Sequence, residues 1–116
     1  MPPANTTAGN EIIPLAVTIT YRSTKRLETI PATVLARTSG AVLVRFERRY
    51  PYLNPGELAA LLVQLEAEGF AVLLKPLDLP GRLTVDGGRE ISFAFVARDE
   101  ATGRFLEALR VRQSGQ

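Results

Sequence analysis

Residues 12 to 22, IIPLAVTITYR, alternate so that Ile13, Leu15, Val17, Ile19 and Tyr21 share one side while Ala16, Thr18, Thr20 and Arg22 share the other. A period of two fits a half-buried antiparallel strand and conflicts with the spacing of an amphipathic helix. The pattern returns after the polar STKR in ETIPATVLART, where Ile30, Ala32, Val34 and Ala36 oppose Thr29, Thr33, Leu35 and Arg37. The TSG at 38–40 suits a tight reversal. AVLVRFERRY then sets Val42, Val44 and Phe46 against Leu43, Arg45 and Glu47. Three strands in a meander are expected, with Pro31 confined to an edge or a bulge because it has no N–H for the ladder.

The period changes at NPGELAALLVQLEAEGF. Asn54 suits an N-cap, Pro55 a first helical turn and Glu57 the third position of a capping box. Leu58, Leu61, Leu62 and Leu65 follow helical spacing and Gly69 offers a stop, so a helix is predicted over 55–69. FAVLLKPL reads as a mostly buried strand, DLPG as a turn, and RLTVDGGREISFAFVAR as a hairpin around Asp86-Gly87-Gly88 with Ile91, Phe93, Phe95 and Ala97 on its core side. The end of the chain admits two readings. It is a hairpin turning at Ala101 to Gly103, or a helix capped by Asp99 with Ala101, Phe105, Ala108, Leu109 and Arg112 on one stripe. The hairpin is preferred because Gly103 would interrupt the helix. The expected fold class is α+β: a mostly antiparallel sheet, or a small partly open β-barrel, with one long helix at 55–69.

With 116 residues, 46% hydrophobic and 22% charged, the chain has room for one core. The expected layout is a disordered tail over 1–11, one β-rich domain over 12–112 and a disordered end over 113–116. No apolar run approaches the roughly 20 residues that span a bilayer, so no membrane insertion is expected. MPPANTTAGNE has neither the basic start nor the apolar core of a secretory signal, and the chain has no cysteine, so a cytoplasmic location is expected. Histidine is also absent, which removes Ser-His and Cys-His nucleophile activation and histidine metal sites. Asp78, Asp86, Asp99 and Glu100 fall in turn sequences where solvated carboxylates are ordinary. The glycines form no phosphate loop. No cofactor and no enzymatic role are expected.

The net charge is +2. Basic and aromatic residues gather in Arg45, Arg48, Arg49, Tyr50 and Tyr52, with Arg22, Lys25 and Arg26 beside the first turn and Arg37 on the outward side of the second strand. These nine positions are the candidate contact surface. If the helix covers the apolar side of the meander, the other side displays Thr18, Thr20, Thr29, Thr33 and Arg37. Such a surface can track a phosphate backbone while tyrosines stack on bases. It is equally the composition of a plain solvated sheet, or of a surface that packs on a second subunit.

The stretch VTITYRSTKRLETIPATVLARTSGAVLVRFERRYPYLNPGEL resembles the first half of a PilZ domain. It shows a strand, a short turn, a second strand ending in a D-x-S-x-x-G-like motif, a third strand and a Pro-Gly-Glu junction, while ISFAFVARDEATGRFLEALRVR is similar to the family's closing hairpin. The resemblance covers about half the chain. Ala36 stands at the motif's Asp, Thr38 at its Ser and Ala41 at its last Gly. The R-x-x-x-R pattern does not precede the first strand; Arg22 and Arg26 have that spacing but follow it. A cyclic di-GMP clamp needs those guanidiniums, so binding of that nucleotide is in doubt, and the implied role is that of a ligand-independent adaptor.

The function expected from the sequence is therefore a small non-enzymatic binding or regulatory module, most concretely a divergent PilZ-like adaptor working through protein contacts or self-association. The alternatives are a nucleic-acid-binding module using the Thr/Arg/Tyr surface and a structural subunit of a larger assembly.

Overall fold

The structure is a computed structural model that describes residues 11–22, 27–38, 40–47, 62–67, 69–78 and 81–113. Its elements are β1 (Glu11–Arg22), β2 (Leu27–Arg37), β3 (Ala41–Phe46), β4 (Val63–Ala67), β5 (Phe70–Pro76), β6 (Arg82–Leu83), β7 (Arg89–Phe95) and the helix α1 (Glu100–Val111).

Alternation makes each long strand apolar on one side, and the pairings turn all those sides toward one axis. β1 lies between β2 and β4, β3 joins β2 to β7, and β5 joins β7 to β4, every pair antiparallel. The ring of six strands is closed, so the barrel is not the partly open one that the sequence suggested. The short β6 pairs with the start of β7, on the same side as β5. Closure removes sheet edges and places the apolar sides in one core. Ile19, Val34, Val44, Leu65, Leu74, Ile91 and Phe93 are fully buried there. Burying each such side chain stabilises the fold by about 1.5–3 kcal/mol.

Pro31 sits opposite Thr18 without an N–H to offer it. Its nitrogen therefore points away from β1, toward the side where the β2–β3 ladder begins only at Thr33 and Arg45. That is the edge position its ring requires.

Several expectations change. The helix predicted over 55–69 is overturned where residues are described. Val63, Leu65 and Ala67 point into the barrel while Gln64 and Glu66 point out, and the segment is strand β4, bonded to β1 and β5. Gly69 ends no helix; at φ +85° it turns the chain from β4 into β5. Asn54, Pro55, Glu57, Leu58 and Leu61 lie outside the described residues, as do the tails 1–10 and 114–116. β5 is half-buried and not mostly buried, with Val72 and Leu74 inward and Ala71, Leu73 and Lys75 exposed. Ala97 lies beyond β7 and is exposed. The preferred hairpin at the end of the chain is a helix instead: Asp99 caps α1 by accepting the Thr102 N–H at 2.9 Å, and Thr102, Phe105 and Leu109 are buried.

The start of β1 also differs. Glu11, expected in the tail, is already strand, and a register irregularity between Glu11 and Leu15 turns Ile12 inward and leaves Ile13 exposed. The end of α1 holds this irregular stretch. The Ile13 N–H donates to the Arg112 carbonyl at 2.8 Å, and the Arg112 guanidinium donates to the Ile13 and Pro14 carbonyls, each at 3.1 Å. Gln113, expected to be disordered, forms a bridge with Ile12. Together these contacts fix α1 across one end of the barrel. Among the described residues no helix is long and apolar enough to cross a membrane.

Candidate contact surface

Antiparallel pairing sorts the strand ends. The end of β1, the start of β2, the end of β3, the start of β4, the end of β5 and the turn at 84–88 all lie opposite the α1 end of the barrel. Of the nine candidate residues, Arg22 and Arg45 belong to this second end. Arg37 does not. It ends β2 near α1, where its Nε is buried with no hydrogen-bond partner among the described residues and its charge acts on Glu107. Lys25, Arg26, Arg48, Arg49, Tyr50 and Tyr52 lie outside the described residues. The nine positions are thus not one continuous surface.

Arg45 is engaged within the chain. Its guanidinium donates to Asp86 Oδ2 at 2.7 Å, and Asp86 is itself held by the Thr84 hydroxyl and by the Gly88 N–H. Beside it, Arg82 donates to Glu90 at 2.6 Å, and Glu90 stands opposite Arg45 in the β3–β7 register. The row across β3, β7 and β6 therefore alternates Arg45, Glu90 and Arg82, and attraction between opposite charges on neighbouring strands holds the 84–88 turn against the end of β3.

The threonines stand on the outer wall as expected. Thr20 and Thr29 face each other across β1 and β2 with their hydroxyls 3.1 Å apart. The wall is the convex outside of a closed barrel, not the open sheet under a helix that the sequence implied. A shallow depression of about 710 Å³ lies on it toward the α1 end, lined by Ala16, Thr18, Pro31, Glu66, Phe70 and Ala71 among others. Glu66 accepts a bond from Gln64 at 2.6 Å there. No group of three or more potential metal ligands occurs among the described residues.

Two positions that the sequence left out of the candidate surface, Leu62 and Lys75, join Arg22 on the outer wall. Lys75 was the available signal: a lysine inside the apolar run FAVLLKPL marks an outward position.

Three carboxyls sit below their ordinary values. The Thr84 hydroxyl lowers Asp86 most, followed by the Gly88 N–H and the Arg45 charge; the Thr102 N–H and hydroxyl lower Asp99; the Arg110 guanidinium lowers Glu107. A carboxyl depressed in the folded state contributes stability that is complete above its unfolded value and is lost as pH falls through the folded one. The urea midpoint is therefore expected to hold between about pH 7 and pH 5 and to drop below about pH 4. Asp86→Asn together with Asp99→Asn should flatten that drop. An equal drop in this double variant would show that other groups drive acid unfolding.

No protein-family model matches the chain, and no curated protein and no solved structure is significantly similar to it.

Proposed function

We propose that this protein is a non-enzymatic binding module that works through protein contacts. Its most concrete form is the adaptor role implied by the PilZ-like stretch, with the end of the barrel opposite α1 as the contact region. One observation carries the preference over nucleic-acid binding. Arg45 and Arg82 are tied to Asp86 and Glu90, so their guanidiniums are already neutralised where a phosphate backbone would need them. A binding surface for phosphate gains affinity by releasing counterions, and an internally paired arginine releases few.

The test is fluorescence anisotropy of labelled single-stranded and double-stranded DNA at low and at physiological salt, with Arg45, Arg48 and Arg49 changed together to Ala as the control. The expected result is no salt-dependent binding by either form. Tight binding that salt weakens and the triple variant loses would replace the adaptor with a nucleic-acid module. Light scattering on the same samples separates the third role, because a structural subunit forms a stable oligomer without any ligand.

A further inference from the structure

The outer wall toward the end opposite α1 carries a second pattern, independent of the Arg45 network. Arg22 faces Leu27 across β1 and β2. The β1–β4 and β4–β5 registers, continued by one residue, set Leu62 beside Arg22 and Lys75 beside Leu62. The row therefore reads Leu27, Arg22, Leu62, Lys75. At a strand spacing of about 4.8 Å it is about 15 Å across. All four side chains point outward, since their neighbours Tyr21, Val63 and Leu74 are buried, and Leu27 and Leu62 are 59% and 50% exposed. The next row, Thr29, Thr20, Gln64 and Leu73, is uncharged and ends in another exposed leucine. Neither row contains a carboxylate. Arg22 and Lys75 have no ion-pair partner among the described residues, unlike Arg45, Arg82, Arg104 and Arg110.

Leucine tips set between cations that no described carboxylate pairs narrow what can cover this wall. A second copy of the chain placed symmetrically here would bring Arg22 and Lys75 against Arg22 and Lys75, and like charges oppose it. The occupant must bring negative charge. The wall is also convex, and its leucines stand apart with a cation between them, so a rigid protein surface would need a matching concavity to bury each one. A lipid surface needs none: headgroups meet the cations while the deformable boundary of the acyl region takes the separate apolar tips.

We infer that the wall formed by Arg22, Leu27, Leu62, Leu73 and Lys75 docks the barrel reversibly on an anionic lipid surface. The barrel lies on the bilayer surface with only these leucine tips reaching the acyl boundary. This reaches beyond a role in protein contacts and stands or falls separately from it.

The test is co-sedimentation of the full chain with vesicles of phosphatidylcholine alone and of phosphatidylcholine containing about one-third phosphatidylglycerol. The expected result is binding to the anionic vesicles only, weakened by salt. Arg22→Ala with Lys75→Ala should reduce it about fivefold for each cation removed. Leu27→Asn with Leu62→Asn should reduce it by about tenfold together. These side chains are exposed and outside the core, so circular dichroism and the urea midpoint should stay unchanged in both variants. Absence of binding to the anionic vesicles at low salt overturns the inference. So does equal binding to neutral vesicles, or binding that neither variant weakens. Single-stranded DNA bound by the wild type and lost in the cation variant, with vesicles ignored, would assign the wall to nucleic acid instead.

Discussion

Replacing Phe105 with Ala should lower the free energy of unfolding by about 3–5 kcal/mol, measured by urea titration followed by circular dichroism. The Phe105 ring is fully buried and meets Phe95 edge to face, with centroids 6.1 Å apart and planes at 71°. It is the largest side chain by which α1 enters the core, and Leu109 one turn later is the other fully buried one. Phe70 and Phe95 pack against the core beside it but are only partly buried, so the cavity would open beside Phe95. Small domains are stable by only about 5–15 kcal/mol, and a loss of this size removes a large share of it. A drop below about 1 kcal/mol would mean that α1 lies on a barrel that folds without it. A smaller denaturant slope with a separate early transition would say that α1 detaches first.

Gly81→Ala should cost a comparable amount, about 2–5 kcal/mol, from two sources that add at one position. Its φ is +78°, a conformation that strains any residue with a Cβ. An added methyl group would also collide with the Glu90 carbonyl oxygen, and the obstacle is backbone, which cannot swing aside. Gly81 belongs to the link that ties the end of β5 to β7. Its N–H donates to the Asp78 carbonyl at 2.6 Å, and the Asp78 carboxylate accepts the Ser92 N–H at 2.8 Å. Gly69→Ala is the matched comparison. Gly69 has φ +85° but open space where its Cβ would stand, so only the strain remains, about 1 kcal/mol. Equal losses at the two sites would show that the close approach to Glu90 contributes nothing.

The outcome at particular residues shows what could be read in advance. Ile30, Ala32, Val34, Val42, Val44 and Phe46 are all inward as expected, because in β2 and β3 alternation has no competing pattern. LAALLVQLEAEG carries both periods at once: Leu58, Leu61, Leu62 and Leu65 satisfy a helix, while Val63, Leu65 and Ala67 satisfy a strand. Its Leu, Ala and Glu content favours the helix locally. Ladders to β1 on one side and β5 on the other decide for the strand, and no local rule sees them. At the chain's end the error ran the opposite way. Gly103 costs the helix about 1 kcal/mol, but the Asp99 cap and the burial of Phe105 and Leu109 outweigh it. The shift from Ile13 to Ile12 follows from the irregularity around Pro14, whose position the alternation alone did not reveal.

The candidate surface was legible as a set of residue types and not as an arrangement. Arg45 and Asp86 are 41 positions apart, and only the β3–β7 pairing makes them neighbours. The same pairings that carry Arg22 beside Leu62 and Lys75 send Arg37 to the far end of the barrel.

What the sequence determined by itself is local: the strand character and the inward side of β2 and β3, the turn at Asp86-Gly87-Gly88, and the absence of histidine and cysteine chemistry. Each depends on side chains within a few residues of one another. The tertiary structure decided the rest: closure of the barrel, the strand at 63–67, the helix at 100–111, and which carboxylate each paired arginine meets. Those depend on hydrogen-bond pairing between segments distant along the chain, and a period of two records which way a side chain points but not which strand lies next to it.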